Sequence, residues 1–518
     1  MKRQIDYSLY LVTSSSLIAP GSTIERQVEE GILGGVTLVQ HREKDISTKC
    51  FVERAKRLSE ICKKYDVPFL INDRIDVALA VGADGVHIGQ DDMDCALARK
   101  ILGDDAIIGV STNNIEEIEK AAADGADYVG IGSIYETNTK DVKDRLIGIT
   151  GLRKILEHVS KMHCQLGTVA IAGLNSSNIQ RVIYLSEANG KRIDGIALVS
   201  AIMCSITPRE TAKELRNLIA TPPCFAQARS SLTTPKDLLN QIPAALQKLK
   251  DFTPLIHHLT NAVAKNFSAN VTLAAYGSPT MGESYDEVAD FAKAPGALVL
   301  NIGILENTKT YIHAAQVNND LARPVILDPV AVGATTARSK VINTLLNYAY
   351  YDIIKGNEGE IMNLAGEQGL MRGVDSISQH TLAARITAVH RLAVERRCVV
   401  AMSGAVDVIS DGNSTYVIKN GNPLLGQITA SGCSLGSVMG VTASICQNDK
   451  LLAAITATLL YNIASELAVE AKNSCGDLLV QGPGTFIPIF VDKLHQLINE
   501  TIKGNVDWIE RAKLEKAE

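Results

Sequence analysis

LINDRIDVALAVGADGVHIGQDD, residues 70–92, carries the end of one short apolar run, Pro68–Ile71, and the whole of another, Asp84–Ile88. Each run ends in polar residues: Asn72 and Asp73 after the first, Gln90, Asp91 and Asp92 after the second. Between them Ile75, Val77, Ala78, Leu79 and Val81 make one short helical pattern. Strand, helix and strand in so short a span read as a parallel βαβ unit. Adjacent parallel strands lie ~4.8 Å apart, so Asp73 and Asp92 are expected side by side at one sheet end. Two close carboxylates repel unless they share a proton or a cation. A hard cation with oxygen ligands, Mg²⁺ first, suits such a pair. Two loop aspartates that cap helices would read the same way.

The surrounding chain sets the frame. Its 518 residues exceed one hydrophobic core, so two or more domains are expected. The net charge of −6 gives no electrostatic footprint for nucleic acid. No apolar run is read as reaching the ~18 residues of a membrane helix, so no membrane partner is expected. The N-terminus, MKRQIDYSLYLV, runs straight into a strand without a signal peptide's apolar core. The 10 cysteines form no CxxC pair, which suits reduced thiols in a cytoplasmic protein.

Short β-type runs recur before residue 205: Ser8–Val12, Val36–Gln40, Pro68–Ile71, Gly85–Ile88, Ile107–Val110, Tyr128–Ile131, Thr168–Ile171 and Gly195–Val199. Helical patterns such as Glu53–Lys64 and Ile115–Ala123 separate them. This alternation predicts a (βα)8 TIM barrel, with chemistry at the C-terminal strand ends. Those ends carry polar clusters, or small residues at the last two runs. Gln40, Arg42 and Lys44 alternate onto one face, and an amide with two cations suits a diphosphate, although mixed charge at a strand end is also ordinary solvated surface. Ser111 and Thr112 end the fifth run, and either binds or caps a helix. Thr137 and Thr139 followed by Lys140 suit phosphate oxygens. Gly173 and the Val199-Ser200 step let backbone N–H groups approach a phosphate.

Taken in order, QxRxK, IND, GVHIGQDD, IGVST, TxTK and VSAI resemble thiamine phosphate synthase over residues ~7–210. That family joins an aminopyrimidine diphosphate to a thiazole phosphate and expels diphosphate. The resemblance implies that Gln40, Arg42, Lys44, Asn72 and Lys140 hold the pyrimidine diphosphate. It implies that Asp73 and Asp92 bind Mg²⁺, and that Ser111 lies beside the reacting pyrimidine. Thr137, Thr139, Gly173, Val199 and Ser200 would hold the thiazole phosphate. The family's Gly-Gly after the seventh strand is Ala172-Gly173 here, where an extra methyl crowds the phosphate loop.

Residues 220–236, ATPPCFAQARSSLTTPK, break every periodicity and read as a linker. The expected division is a barrel over 1–220, a linker over 221–236 and a second domain over 237–518. An amphipathic pattern at Leu238–Leu249, broken by Pro243, opens that domain. Strand-like runs at Ala297–Ile302, Pro324–Leu327, Val399–Met402, Asp407–Ile409 and Thr415–Ile418 suggest a layered α/β domain. Thr429-Ala430-Ser431-Gly432-Cys433-Ser434-Leu435-Gly436 opens an apolar helix, and a small-residue loop at a helix N-terminus is an anion nest. Its spacing fits neither a Walker loop nor a Rossmann fingerprint. Cys433 there is expected to have a lowered thiol pKa and to be a candidate base; a buried structural cysteine is the other reading. Asp328 follows a strand, and Asn357 and Glu360, three apart, share a helix face and can order Mg²⁺ through water.

With HHLTNAVAKNFSANVTLAAYGSPTM at 257–281, these motifs resemble hydroxyethylthiazole kinase, a ribokinase-like ATP enzyme, over ~240–500. The resemblance implies that Cys433 receives the substrate hydroxyl's proton and that Gly432 helps form the anion hole. Asp328 and Glu360 would serve Mg²⁺, and Arg338 and Ser403 the ATP phosphates. Asn270 and Met281 would line the thiazole pocket. Ala331 stands where the family usually has Gly. The combined expectation is a cytoplasmic bifunctional enzyme of thiamine biosynthesis, using ATP and Mg²⁺, with homo-oligomers built on kinase trimers. Its partners would be hydroxyethylthiazole, thiazole phosphate, the aminopyrimidine diphosphate and ATP. The rival readings are a sensor with a degenerate barrel, motivated by Ala172 and Ala331, and an unrelated barrel isomerase fused to a sugar kinase.

Overall fold

A computed structural model describes residues 4–44, 46–137, 146–226, 230–303, 305, 307–367, 371–372, 375–376 and 380–517. The chain divides into Met1–Pro223 and Cys224–Glu518. The division falls inside the stretch read as a linker.

In the first unit β1 (Leu9–Val12), β2 (Leu38–His41), β3 (Phe69–Asn72), β4 (Gly85–Ile88), β5 (Ile107–Thr112), β6 (Tyr128–Ile131), β7 (Gly167–Ala170) and β8 (Gly195–Leu198) form a closed barrel. Every pairing is parallel, and β8 returns to β1. Apolar β-branched residues with both faces buried give these short runs their strand character. Helices between strands start at side-chain caps: Ser47 accepts from Cys50 N–H, and Asn114 accepts from Glu117 N–H. The helix expected from Glu53 therefore begins at Thr48, immediately after its cap. All C-terminal strand ends share one mouth, which collects their polar residues.

The second unit is built on a nine-stranded sheet. Its strands are β9 (Leu255–Leu259), β10 (Ser278–Thr280), β11 (Gly296–Asn301), β12 (Val325–Asp328), β13 (Ile353–Asn357), β16 (Val399–Ser403), β17 (Asp407–Ser410), β18 (Thr415–Ile418) and β19 (Leu514–Lys516). A separate two-stranded pair joins β14 (Met371–Arg372) to β15 (Asp375–Ser376). The sheet order is β10-β9-β11-β12-β13-β16-β17-β18-β19, parallel through β16 and antiparallel beyond it. Helices Ser431–Ile445 and Lys450–Glu470 are buried along most of their length in the apolar core on this sheet.

Two expectations need correction. The helix Lys450–Glu470 is long and apolar enough to cross a membrane by length and composition, contrary to the reading of the apolar runs, but 83% of that window is buried inside the unit. A helix surrounded by protein is apolar on all sides because every side finds an apolar neighbour. Pro243 does not break the pattern around it: the helix Pro235–Gln247 runs through it, with Leu238, Ile242, Ala245 and Leu246 buried. Packing of that face outweighs the missing backbone donor.

Candidate active sites

The barrel mouth encloses a cavity of about 290 Å³. Gln40, Arg42, Lys44, Asn72, Asp73, Asp92, Ser111, Thr137 and Val199 all line it. The mixed charge at the end of β2 is sorted by local pairing. Glu43 bonds Arg54 and Ser15, which leaves Arg42 and Lys44 on the cavity wall. Asn72 is buried at the end of β3. Asp73 follows it at φ 61°, and its N–H donates to the His87 carbonyl on β4 at 2.9 Å. This cross-strand bond turns the carboxyl toward β4.

Asp73 and Asp92 do meet. Their carboxyls are hydrogen-bonded to each other; burial first, then Asp92, pushes Asp73 up to about 6, while Lys44 and Arg42 pull it down. Asp92 is steadied by Gly89 N–H, which donates to Oδ2 at 2.8 Å. Two carboxylates forced together hold a proton where a divalent cation fits. Mg²⁺ is usually bound by one or two carboxylates with phosphate and water oxygens, so this donor set fits it. Neither aspartate is merely a helix cap; Asp94 caps the helix that follows.

The loops after β6, β7 and β8 close the other side. Thr137, Ala172 and Val199 line the cavity. Thr139 and Lys140 lie outside the described residues. Gly173 has φ +71°, and its carbonyl accepts from Asn178 Nδ2 at 2.9 Å. Ser200 opens a short helix, Ser200–Met203. Ala172 also lies in the left-handed region, at φ 71°, as does Ala331 at φ 56°. The two departures from the family pattern therefore keep the backbone conformation that glycine favours, at some cost in strain.

In the second unit the C-terminal ends of the parallel strands gather a buried polar cluster. Asn301 and Asp328 are register partners across β11 and β12. Asn301 Nδ2 donates to Asp328 Oδ2 at 3.0 Å and to Cys433 Sγ at 3.1 Å. Lys355, in β13, reaches Asp328 Oδ2 at 3.4 Å. Asn357 caps the next helix in a capping box with Glu360. Both Glu360 carboxylate oxygens accept backbone N–H groups, from Ala331 and Asn357, at 2.8 Å each. Burial and then the Asp328 charge push Glu360 up to about 7, against Lys355. With Glu360 doubly engaged and Asp328 facing Lys355, this pair fits Mg²⁺ through intervening water rather than by direct ligation.

Cys433 and Gly432 stand in the first turn of the helix Ser431–Ile445, entered through Ala430 at φ 64°. The expected lowering of the thiol pKa is not found. Burial and the Asp328 charge push Cys433 up to about 11, and Lys355 and the Asn301 bond only partly oppose them. A helix N-terminus offers about half a charge, less than a neighbouring carboxylate in a buried site. Ser403 ends β16 and donates to the Gly356 carbonyl at 3.3 Å. Arg338 donates to the carbonyls of Ile302, Val330 and Gly303 and so braces the loops after β11 and β12. Met281 follows β10 at the same sheet edge. Asn270 stands exposed on the helix Ala262–Ala274, bonded to Asn266 one turn back rather than to the cluster.

Sequence reading missed Lys355 and Asn301 as site residues. A lone Lys within Ile353-Ile354-Lys355 and an Asn closing an apolar run were the available signals. In the barrel it missed Tyr10, His87 and Tyr128, which line the cavity floor but read as ordinary strand residues.

Comparison with known proteins extends these observations. The family model for thiamine monophosphate synthase matches residues 9–202, and that for the hydroxyethylthiazole kinase family matches 246–500. The thiamine biosynthetic bifunctional enzyme of Saccharomyces cerevisiae is 40% identical over 532 residues, covering 96% of this chain and 97% of its own. The thiamine-phosphate synthase of Clostridium novyi is 46% identical over 214 residues, 41% of this chain and 99% of its own. The solved hydroxyethylthiazole kinase of Pyrococcus horikoshii is 31% identical, with 54% of this chain and 100% of that one covered, at a TM-score of 0.46.

Proposed function

Because this chain belongs to the family of bifunctional thiamine biosynthetic enzymes, with a thiamine-phosphate synthase domain and a hydroxyethylthiazole kinase domain, we propose that the barrel cavity binds the pyrimidine diphosphate and the thiazole phosphate, and that the Cys433 cluster transfers the phosphoryl group. The two transferase activities are consecutive. The kinase phosphorylates hydroxyethylthiazole with ATP, and the synthase condenses the product with the aminopyrimidine diphosphate to give thiamine phosphate and diphosphate.

The observation that carries the barrel assignment is the Asp73–Asp92 pair facing Arg42 and Lys44 across one cavity. Arg42, Lys44 and Lys140 hold the diphosphate, with Gln40 and Asn72 beside it. Mg²⁺ bound at Asp73 and Asp92 would supply positive charge against the leaving group. The thiazole nitrogen forms a bond to the pyrimidine methylene carbon as the carbon–oxygen bond breaks and diphosphate departs with the electron pair. No side chain acts as nucleophile, and the cations stabilise the departing charge. Thr137, Thr139, Gly173, Val199 and Ser200 orient the thiazole phosphate, and Ser111 lies against the pyrimidine.

In the kinase unit the thiolate form of Cys433, the minor form at neutral pH, receives the proton of the thiazole's hydroxyl, and the backbone at Gly432 meets the phosphoryl oxygens. A Cβ built on Gly432 would stand 3.3 Å from Lys355 Nζ, so the ammonium faces the point where the transferring charge sits. Mg²⁺ at Asp328 and Glu360 would neutralise phosphate charge through water. Arg338 and Ser403 complete the ATP phosphate site. Met281 and Asn270 line the thiazole pocket, the latter from a neighbouring subunit in a trimer. Support for the trimer comes from Val263 and Leu273, 68% and 58% exposed on the helix face that carries Asn270. A cytoplasmic setting agrees with ten free cysteines.

The test is thiamine phosphate formation from hydroxyethylthiazole, ATP, Mg²⁺ and the pyrimidine diphosphate. Cys433→Ala is expected to fail until thiazole phosphate is supplied, and Arg42→Ala to fail with or without it. A wild-type protein that makes thiazole phosphate but never thiamine phosphate overturns the barrel assignment.

A further inference from the structure

Five side chains from five strands form one hydrogen-bonded row along the floor of the barrel cavity. Gln40 Nε2 donates to Tyr10 Oη at 2.5 Å, and the Tyr10 and Tyr128 hydroxyls are bonded at 2.8 Å. Tyr128 Oη meets His87 Nδ1 at 2.8 Å, and His87 Nε2 meets Ser111 Oγ at 2.9 Å. The row is built into the barrel. A Cβ on Gly109 would stand 2.0 Å from Tyr128 Cζ, and one on Gly130 would stand 3.1 Å from His87 Cε1. Bare backbone at both positions makes room for the two rings.

Each hydroxyl has one proton to give, and a neutral imidazole has one N–H. The direction of one bond therefore sets all the others. The Gln40 amide nitrogen only donates, so Tyr10 accepts there and gives its proton to Tyr128. Tyr128 in turn gives its proton to His87 Nδ1. His87 is then the Nε2–H tautomer and donates to Ser111. Ser111, having accepted, keeps its own O–H for the cavity, and Gln40 keeps its Oε1 acceptor. Burial raises both tyrosine hydroxyls far above neutral pH, so neither loses the proton this count requires. Gln90 Nε2 donates to the Ser111 carbonyl at 2.8 Å and holds that end of the row in place.

We infer that Tyr10, Tyr128 and His87 are positioning residues that fix the hydrogen-bond polarity of the cavity, an acceptor at Gln40 and a donor at Ser111, and so select a 4-aminopyrimidine over its 4-oxo counterpart. A 4-aminopyrimidine presents an exocyclic N–H donor, which the Gln40 acceptor takes. The 4-oxo ring presents an oxygen acceptor in its place, which would face the Gln40 amide oxygen. A site that leaves buried polar groups facing like groups rejects the wrong ring far more strongly than an apolar wall can. This rests on the assignment of the cavity to the pyrimidine diphosphate.

Nitrogen-15 NMR of the histidine-labelled full chain tests the row directly, with His87→Asn used to assign the His87 signals. The expected result is a proton on Nε2 and none on Nδ1. A proton on Nδ1, or on both nitrogens, overturns the inference whether or not the protein is a synthase. The second measurement compares kcat/KM for the 4-amino and 4-oxo pyrimidine diphosphates. Tyr10→Phe and Tyr128→Phe, made separately in case one fails to fold, detach the row from Gln40. Each is expected to reduce the preference for the amino substrate about tenfold. An unchanged preference with both rates lowered alike means a purely structural role and overturns the inference. Failure of the wild type on either substrate, with Nε2–H present, points instead to a wrong functional assignment.

Discussion

Lys355 Nζ lies 3.4 Å from Asp328 Oδ2, with both side chains only 3% exposed. Burial works against the ammonium charge, but Asp328, Glu360 and Cys433 together raise its pKa above the ordinary lysine value. Lys355 is the cation that lets two carboxyls and a thiol share one buried site. Lys355→Met is expected to reduce kinase turnover by about 10²-fold or more. Removing one partner of a buried pair costs about 3–5 kcal/mol. Synthase activity on supplied thiazole phosphate is expected to persist. Trp508, the single tryptophan, is buried in the kinase unit, so its fluorescence separates loss of folding from loss of chemistry. Kinase turnover within a factor of three of wild type, measured on folded protein, removes Lys355 from the site.

The Cys433 thiol, pushed up to about 11 by burial and the Asp328 charge, is almost wholly protonated at neutral pH. The thiolate fraction grows about tenfold with each pH unit below that pKa. Kinase kcat/KM is therefore expected to climb about tenfold per unit from pH 7 to 9 if the free thiolate accepts the proton. A flat profile over that range, with Cys433→Ala retaining turnover, removes the thiol from proton transfer.

The loop after β7 offers a paired comparison. Ala172, at φ 71°, carries about 1–2 kcal/mol of left-handed strain, which Ala172→Gly relieves while adding about 0.4–1 kcal/mol of unfolded-state freedom. Stability and synthase rate are expected to change little. Gly173→Ala is different: at φ +71° its Cβ would stand 2.6 Å from Tyr135 Cβ and 2.7 Å from the Glu136 carbonyl oxygen. Synthase activity is expected to fall at least about tenfold, with a raised KM for thiazole phosphate. Equal behaviour of the two variants in steady-state assays contradicts the steric argument.

Asp407 is buried at the start of β17 and accepts from Gly404 N–H at 2.9 Å and from Asn462 Nδ2 at 2.6 Å. Burial, opposed by those bonds, raises its carboxyl to about 7 from 3.8. The native state thus binds a proton that the unfolded chain has released. The resulting stabilisation is full below the unfolded value and is lost as pH rises through about 7. The stability of wild type relative to Asp407→Asn is expected to decline from pH 5 to 7 and level off above. Denaturant titrations followed by Trp508 emission at several pH values measure this, and a pH-independent difference refutes it.

Much of the barrel site was legible because it obeys local rules. The apolar runs of β4 and β6 begin and end where the sequence pattern places them, and a barrel brings every residue just after a strand to the same mouth. Asp73 and Asp92 therefore meet as expected. The kinase sheet was less legible. The run Leu255–Leu259 of β9 contains two buried histidines, and β13 contains Lys355, so neither has a plain apolar signature.

Sequence alone determined the alternation of strand and helix, the order of the two domains and the residues brought to each strand end, because hydrophobic periodicity acts over a few residues. Only the tertiary structure decided how those residues behave. Asp328 and Cys433 are distant in the chain, yet their contact through Asn301 and shared burial raise the thiol that local sequence predicted to be lowered. The direction of the row from Gln40 to Ser111 depends on five strands at once. Ionisation and hydrogen-bond polarity are set by the dielectric and the partners a group meets after folding, and no short window of sequence contains either.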